Sequence, residues 1–277
     1  MCIRDSSGAL RRSRWRRSPS RLVSWAALPT SIVVGPFTFY LYGLGLAVAG
    51  WISYGAIKRR LSVRNWSTAK WPLFASYVIV GGLVGARLAH VATNWTYYQH
   101  HLGSLLALWQ GGLASFGGIL VAVPLALILA RRWWPEVALL TFADVLVPAV
   151  VAGWAIGRAL GPQFMYAGGG HLTHQWFGLP YAGQAGRRVP VPLIQALEDG
   201  LLWLTLLRME RHSPLPGRIT SYAMMIWGIV RFCDEHWLLG QQGHAGSLAV
   251  QIASLALSFG GLALWIKSRR PRRNLPN

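Results

Sequence analysis

The stretch "FADVLVPAVVAGWAIGRALG", residues 142–161, decides the fold. Small and apolar residues fill it, with Asp144 near one end and Arg158 near the other. A helix rises about 1.5 Å per residue, so a segment of roughly this length matches the hydrocarbon thickness of a bilayer. Six further segments read the same way, which places apolar helices at about 37–56, 72–94, 112–130, 138–160, 191–208, 219–238 and 246–266. Composition agrees. Residues are 53% hydrophobic and 13% charged, against roughly 25% charged in a soluble domain. Mean hydropathy is +0.35. Fifteen Trp also suit a membrane protein, because Trp anchors at the headgroup level. The expected fold class is an all-α polytopic membrane protein with seven transmembrane helices.

The net charge of +19 leaves two partners open, nucleic acid or a membrane surface. The positions of the charges decide. "KRRLSVRNWSTAK", residues 58–70, holds five basic residues, and "KSRRPRRN", residues 267–274, holds five more. Arg131 and Arg132 follow the third segment, and Arg208, Arg211 and Arg218 follow the fifth. The connections after the second and sixth segments have none, and the long 161–190 loop has only Arg187 and Arg188. Basic connections alternate with charge-poor ones, so no nucleic acid partner is expected. The positive-inside rule predicts an outside N-terminus and a cytoplasmic C-terminus. Residues 1–21 hold seven Arg and oppose that orientation. Residues 1–27 are therefore read as an Arg-rich extension, disordered or not native to the fold. Residues 28–267 form the seven-helix domain, and 268–277 a basic cytoplasmic tail.

Cys2 and Cys233 cannot build a disulfide framework or a metal site, and no phosphate-binding or dinucleotide Gly fingerprint is present. Attention falls on ionisable groups inside the apolar segments, which are rare and usually face the protein interior. These are Arg87 and His90, Asp144 and Arg158, Glu198 and Asp199, and the cluster Arg231, Asp234, Glu235 and His236. Under the predicted orientation Arg87, Arg158 and Arg231 converge on the outer side, while Glu198 and Asp199 fall near mid-membrane. Arg231 and Glu235 are four apart and can neutralise each other on one helix face. Arg87 can snorkel to the headgroups. Three arginines with few local acids suggest instead a phospholipid phosphate, which guanidinium binds bidentately. Gly81, Gly82 and Gly85 read as helix packing. In "WQGGLASFGGIL", residues 109–120, two Gly pairs flank Ser115 and Phe116, and amides of a loosened helix start can meet an anion.

"YGLGLAV", "GARLAHVATNW", "WQGGLASFGG", "GRALG", "RFCDE" and "QIASLAL" occur in that order, and their order and spacing resemble the prolipoprotein diacylglyceryl transferase family over about residues 28–267. The resemblance implies seven helices with the N-terminus outside. It implies a bacterial inner-membrane enzyme that moves a diacylglyceryl group from phosphatidylglycerol to the lipobox cysteine of a preprolipoprotein signal peptide, the first step of lipoprotein maturation. No metal or cofactor is implied. Arg158 and Arg231 match the family's essential arginines, and Glu235 the Glu of the Arg-Phe-x-x-Glu motif. Arg87, Tyr42, Gly117, Gly118 and Gln251 match supporting positions and are expected to bind substrate.

The chain departs from the family pattern. Phe116 stands where a His is common. "VPVPLIQ", residues 189–195, replaces a His-Pro-x-Gln-x-Tyr-Glu motif, with Val189 for His and Gln195 for Glu. The acceptor thiol, with a pKa of roughly 8.5, needs a base. His171, His174 and Glu235 are the candidates. Two other readings stay open: a relative that binds phospholipid without transfer, and a small-solute transporter using Asp144, Glu198 and Asp199.

Overall fold

The computed structural model describes residues 27–35, 37–105, 114–212, 215–235 and 244–269. Outside them lie the Arg-rich extension up to residue 26, Gly111, Gly112, His236 and the end of the basic tail. Seven long helices are present among the described residues: α1 (Leu41–Val63), α2 (Trp71–Thr93), α4 (Ser115–Trp133), α5 (Leu139–Leu160), α6 (Val191–Arg211), α7 (Arg218–Asp234) and α8 (His244–Arg269). A single turn, α3 (Trp95–Tyr98), follows α2. The segments read from sequence thus appear as helices close to their expected positions. Three helical stretches are long and apolar enough to cross a membrane by length and composition alone: Trp71–Thr93, Leu139–Phe164 and Val250–Ser268.

The fold is mostly helical rather than purely so. Residues 31–40, expected to lead into and begin the first helix, form an antiparallel ribbon of β1 (Ser31–Val34) and β2 (Phe37–Tyr40), with Ser31 opposite Tyr40. The reason is local. "SIVV" and "FTFY" are β-branched and aromatic, and Gly35 between them takes a φ of +59°. At the other end of α1 the helix continues through Lys58, Arg59 and Arg60, residues expected in a loop. A second ribbon pairs β3 (Leu179–Pro180) with β4 (Arg187–Arg188) in the 161–190 connection.

Packing differs between the two ends of the bundle. Where α1 closes, α2 opens, α4 closes and α5 opens, Leu61, Trp71, Phe74, Trp134 and Phe142 form one buried cluster. Phe74 sits edge-on to Trp134 and Phe142 at 5.5 and 5.9 Å between centroids. The Trp134 indole N–H donates to the Ser67 carbonyl at 3.1 Å, which satisfies the one polar atom this ring buries. Arg60 and Arg64 both reach Glu210 at 2.6 Å, tying α1 to α6.

Asp144 explains how α7 starts. Its carboxylate accepts from the Gly217 N–H at 2.6 Å, the Thr220 N–H at 2.8 Å and the Thr220 hydroxyl at 2.6 Å. These are the free N–H groups of a helix beginning, capped from a neighbouring helix. Gly217 takes a φ of +89°, which side-chain-bearing residues rarely adopt. Asp144 is therefore a structural cap rather than part of a transmembrane polar path.

Candidate active site

Arg158 lies in the last turn of α5 and Arg231 in the last turn of α7. Both helix C-termini present partial negative charge, which helps hold two cations close together. The guanidiniums feel each other's charge, and Asp199 and Asp234 oppose that repulsion. One tight cleft is lined by Arg158, Gln195, Glu198, Asp199, Arg231 and Asp234. The aspartates are buried. Arg158 also stacks on Trp154, with 5.4 Å from its guanidinium carbon to the ring centroid.

The α6 acids come from a deeper turn of their helix than the arginines do of theirs. Glu198 and Asp199 lie two turns into α6, whose first residue is Val191. Arginine side chains span several ångströms, so helix-end guanidiniums reach down to these carboxyls. Gln195, one turn before Asp199 on the same face, donates to Asp234 Oδ2 at 2.7 Å. Glu198 is within hydrogen-bonding reach of Asp234, and Trp227 lines the cleft beside Asp199. Sequence reasoning singled out Asp199 and Asp234 as charges inside apolar segments, and it missed Gln195 and Trp227 as their neighbours. The spacing of Gln195 with Glu198 and Asp199 was the available signal.

Two larger clefts flank Arg158. One, of about 430 Å³, has Tyr42, Leu46, Trp154 and Pro162 among its lining residues. The other, of about 340 Å³, has Ile119, Leu120, Trp227, Arg231, Val250 and Ser254. Apolar walls beside guanidiniums suit an amphiphile whose anionic head meets the charge. Glu235 is fully buried and accepts from Arg231 at 2.9 Å, one turn along α7. It orients that guanidinium. Arg231 Nη1 is buried and has no hydrogen-bond partner among the described residues.

Several expected site residues fall elsewhere. Arg87 is buried, donates to the Leu105 carbonyl at 2.9 Å and also to the Ser104 carbonyl. Its guanidinium lies 5.3 Å from the Tyr98 ring centroid. It neither snorkels nor lines a cleft with Arg158, but pins the chain after α3 to α2. Gly117 sits against α2, where an added Cβ would meet the Gly85 carbonyl and Ala89. Gly118 faces Gly82 and Ala86. These two glycines let α2 and α4 approach rather than open a helix start to an anion. Gln251 is on α8 beside Val250.

His171 and His174 belong to the folded 161–190 connection and line none of the three clefts around Arg158. The His171 carbonyl accepts from the Val189 N–H at 3.0 Å, and His174 is exposed. Gln184 pairs twice with the Gly169 backbone. The Tyr181 hydroxyl donates to Gln163 Oε1 at 2.7 Å. Burial pushes this phenol up to about 12 even though the Gln163 bond opposes the shift, so it stays a protonated donor at neutral pH.

Apolar helices, three of them able to cross a bilayer, around paired arginines define a helical protein of the membrane class. A sequence profile of the prolipoprotein diacylglyceryl transferase family matches residues 29–267. The chain belongs to that family. It is 32% identical over 196 residues to a phosphatidylglycerol--prolipoprotein diacylglyceryl transferase of Finegoldia magna, covering 68% of this chain and 74% of the relative. A protein of the same name from Streptococcus uberis is 26% identical over 268 residues, covering 88% and 96%. Another, from Geobacillus kaustophilus, is 28% identical over 260 residues, covering 85% and 90%.

Proposed function

We propose that this chain transfers the diacylglyceryl group of phosphatidylglycerol to the cysteine thiol of a prolipoprotein signal peptide, at the cleft between Arg158 and Arg231. The observation that carries the site is the pairing of these guanidiniums, with Arg231 Nη1 buried beside apolar clefts and without a partner among the described residues. A phosphodiester supplies the acceptors such donors need. The thiolate attacks the glycerol carbon, the carbon–oxygen bond to phosphate breaks, and glycerol phosphate leaves. The leaving phosphate carries more charge than the diester, so the arginines hold the transition state more tightly than the ground state. Tyr42, from the first turn of α1, lines a cleft with Arg158. Membranes containing the protein, labelled phosphatidylglycerol and a lipobox peptide test this. Label on the peptide is the expected result. Lipid binding without label transfer would favour the reading in which substitutions such as Val189 and Gln195 have cost the chain its activity.

On the same reading the seven long helices all span the bacterial inner membrane, with residues 58–70 and 267–273 cytoplasmic and 161–190 outside. Helices richer in charge than the three apolar ones fit such a bundle because Gln195, Asp199, Asp234 and Glu235 are buried, while exposed bases such as Lys58, Arg59, Arg132 and Arg211 lie near helix ends. Single cysteines in these connections, labelled with and without permeabilisation, test the orientation. Labelling of the 161–190 connection only after the inner membrane is opened would reverse it. The folded domain is residues 28–267, so removal of residues 2–21 is expected to leave insertion and transfer intact.

A further inference from the structure

We propose that Glu198 and Asp234 form a proton-sharing carboxyl pair that takes the proton from the acceptor thiol, an inference resting on the transfer reading above. The two side chains come from α6 and α7 and line the same cleft as Arg158 and Arg231. They are within hydrogen-bonding reach of each other. Ionised carboxylates only accept hydrogen bonds, so this contact holds only with a proton between them. The Gln195 amide donates to Asp234 Oδ2, which fixes that carboxyl as an acceptor on its other side. Glu198 Oε2 is buried with no hydrogen-bond donor among the described residues. It is an acceptor without a donor, on a side chain that lines one cleft with both guanidiniums.

The bases suggested by sequence are less well placed. Glu235 is committed to Arg231 through one oxygen and does not line the tight cleft that holds both arginines. His171 and His174 lie on the 161–190 connection and line none of the clefts at the arginines. The charged and titratable groups facing the pair are Asp199 from α6, Arg158 from α5 and Arg231 from α7. The two cations stabilise a pair with a single negative charge.

The step balances. The thiol proton moves to Glu198 Oε2, and the sulfur electron pair forms the bond to the glycerol carbon. The carbon–oxygen bond breaks and its electrons remain on the phosphate oxygen. Glycerol phosphate then carries one more negative charge than the diester had. The proton passes from the carboxyl pair to that oxygen, and the pair returns to its starting state.

The test uses the full-length protein in phosphatidylglycerol-containing nanodiscs with a lipobox peptide. Glu198→Gln and Asp234→Asn are expected to lower kcat by about 100-fold or more, the usual range for losing a positioned base. KM for phosphatidylglycerol should change less than about threefold, and the fall in kcat toward acid pH should flatten. Glu198→Asp keeps a carboxyl and serves where the amide variants do not fold. It is expected to retain a pH-dependent kcat below that of the unsubstituted protein. His171→Ala and His174→Ala should stay within about twofold. Three results would overturn the inference: Glu198→Gln with near-normal kcat and an unchanged pH profile, a raised KM with kcat intact, or a flat profile for Glu198→Asp. Absence of transfer by the unsubstituted protein sinks the transfer reading and the inference with it.

Discussion

At one end of the bundle Trp71, Phe74, Trp134 and Phe142 interlock, and their two indole N–H groups are satisfied by carbonyls of Tyr54 and Ser67. At the other end Arg158, Arg231 and four acid side chains crowd the helix termini. Of the four buried side-chain atoms without a partner among the described residues, three are there: Glu198 Oε2, Arg231 Nη1 and Glu235 Oε1. The fourth, Arg218 Nε, belongs to a guanidinium stacked on Trp265 at the aromatic end. Unsatisfied buried polar groups cost about 1–3 kcal/mol each. Such a cost is tolerable where a substrate will complete the bonds. The aromatic end holds the helices together, and the polar end keeps donors and acceptors open for a ligand.

The comparison breaks most readily at the aromatic end. Phe74→Ala is expected to cost about 3–5 kcal/mol of stability, as for other large buried aromatics. Thermal unfolding of the purified protein measures it, while transfer per folded molecule should stay near normal. A rate loss as deep as that of the arginine variants would mean that the two ends are not separable.

Arg158→Lys and Arg231→Lys should give the next largest effect. Lys keeps the charge and loses the planar fork. Losing one charge-assisted contact that tightens in the transition state should cost about 2–4 kcal/mol, or roughly 30- to 1,000-fold in rate. Transfer rates at equal protein content, with unchanged melting temperature, are the measurement. Near-normal rates for both would remove bidentate phosphate binding by this pair.

Asp144→Asn sharpens the distinction between structural and functional charge. It weakens three hydrogen bonds at the start of α7 and is expected to cost about 1–3 kcal/mol of stability, with little change in KM for phosphatidylglycerol. A selective KM effect would give Asp144 a part in the site after all. The smallest effect is expected for Arg87→Ala. Its guanidinium binds backbone carbonyls, so the variant should lose less than about tenfold in rate and become more sensitive to proteolysis around residues 99–105. A loss equal to that of Arg158→Lys would return Arg87 to the phosphate site.

The helices were legible in the amino-acid sequence. Seven apolar runs, their order and the family motifs were all legible, because a span of about 20 residues and its flanking charges are local properties. Arg158 and Arg231 were legible for the same reason, since a charge inside an apolar run stands out. The ribbon at 31–40 was missed because hydrophobicity alone does not distinguish a short strand from a helix start. Side-chain partners emerged with the packed bundle. It gave Asp144 to the start of α7, Arg87 to the Ser104 and Leu105 carbonyls, and Gly117 to the α2 interface. It joined Gln195 and Glu198 of α6 to Asp234 of α7, groups whose separation in the chain carries no signal of contact. A side chain's partner depends on which helix faces which and at what depth, and those follow from the packing of the whole bundle.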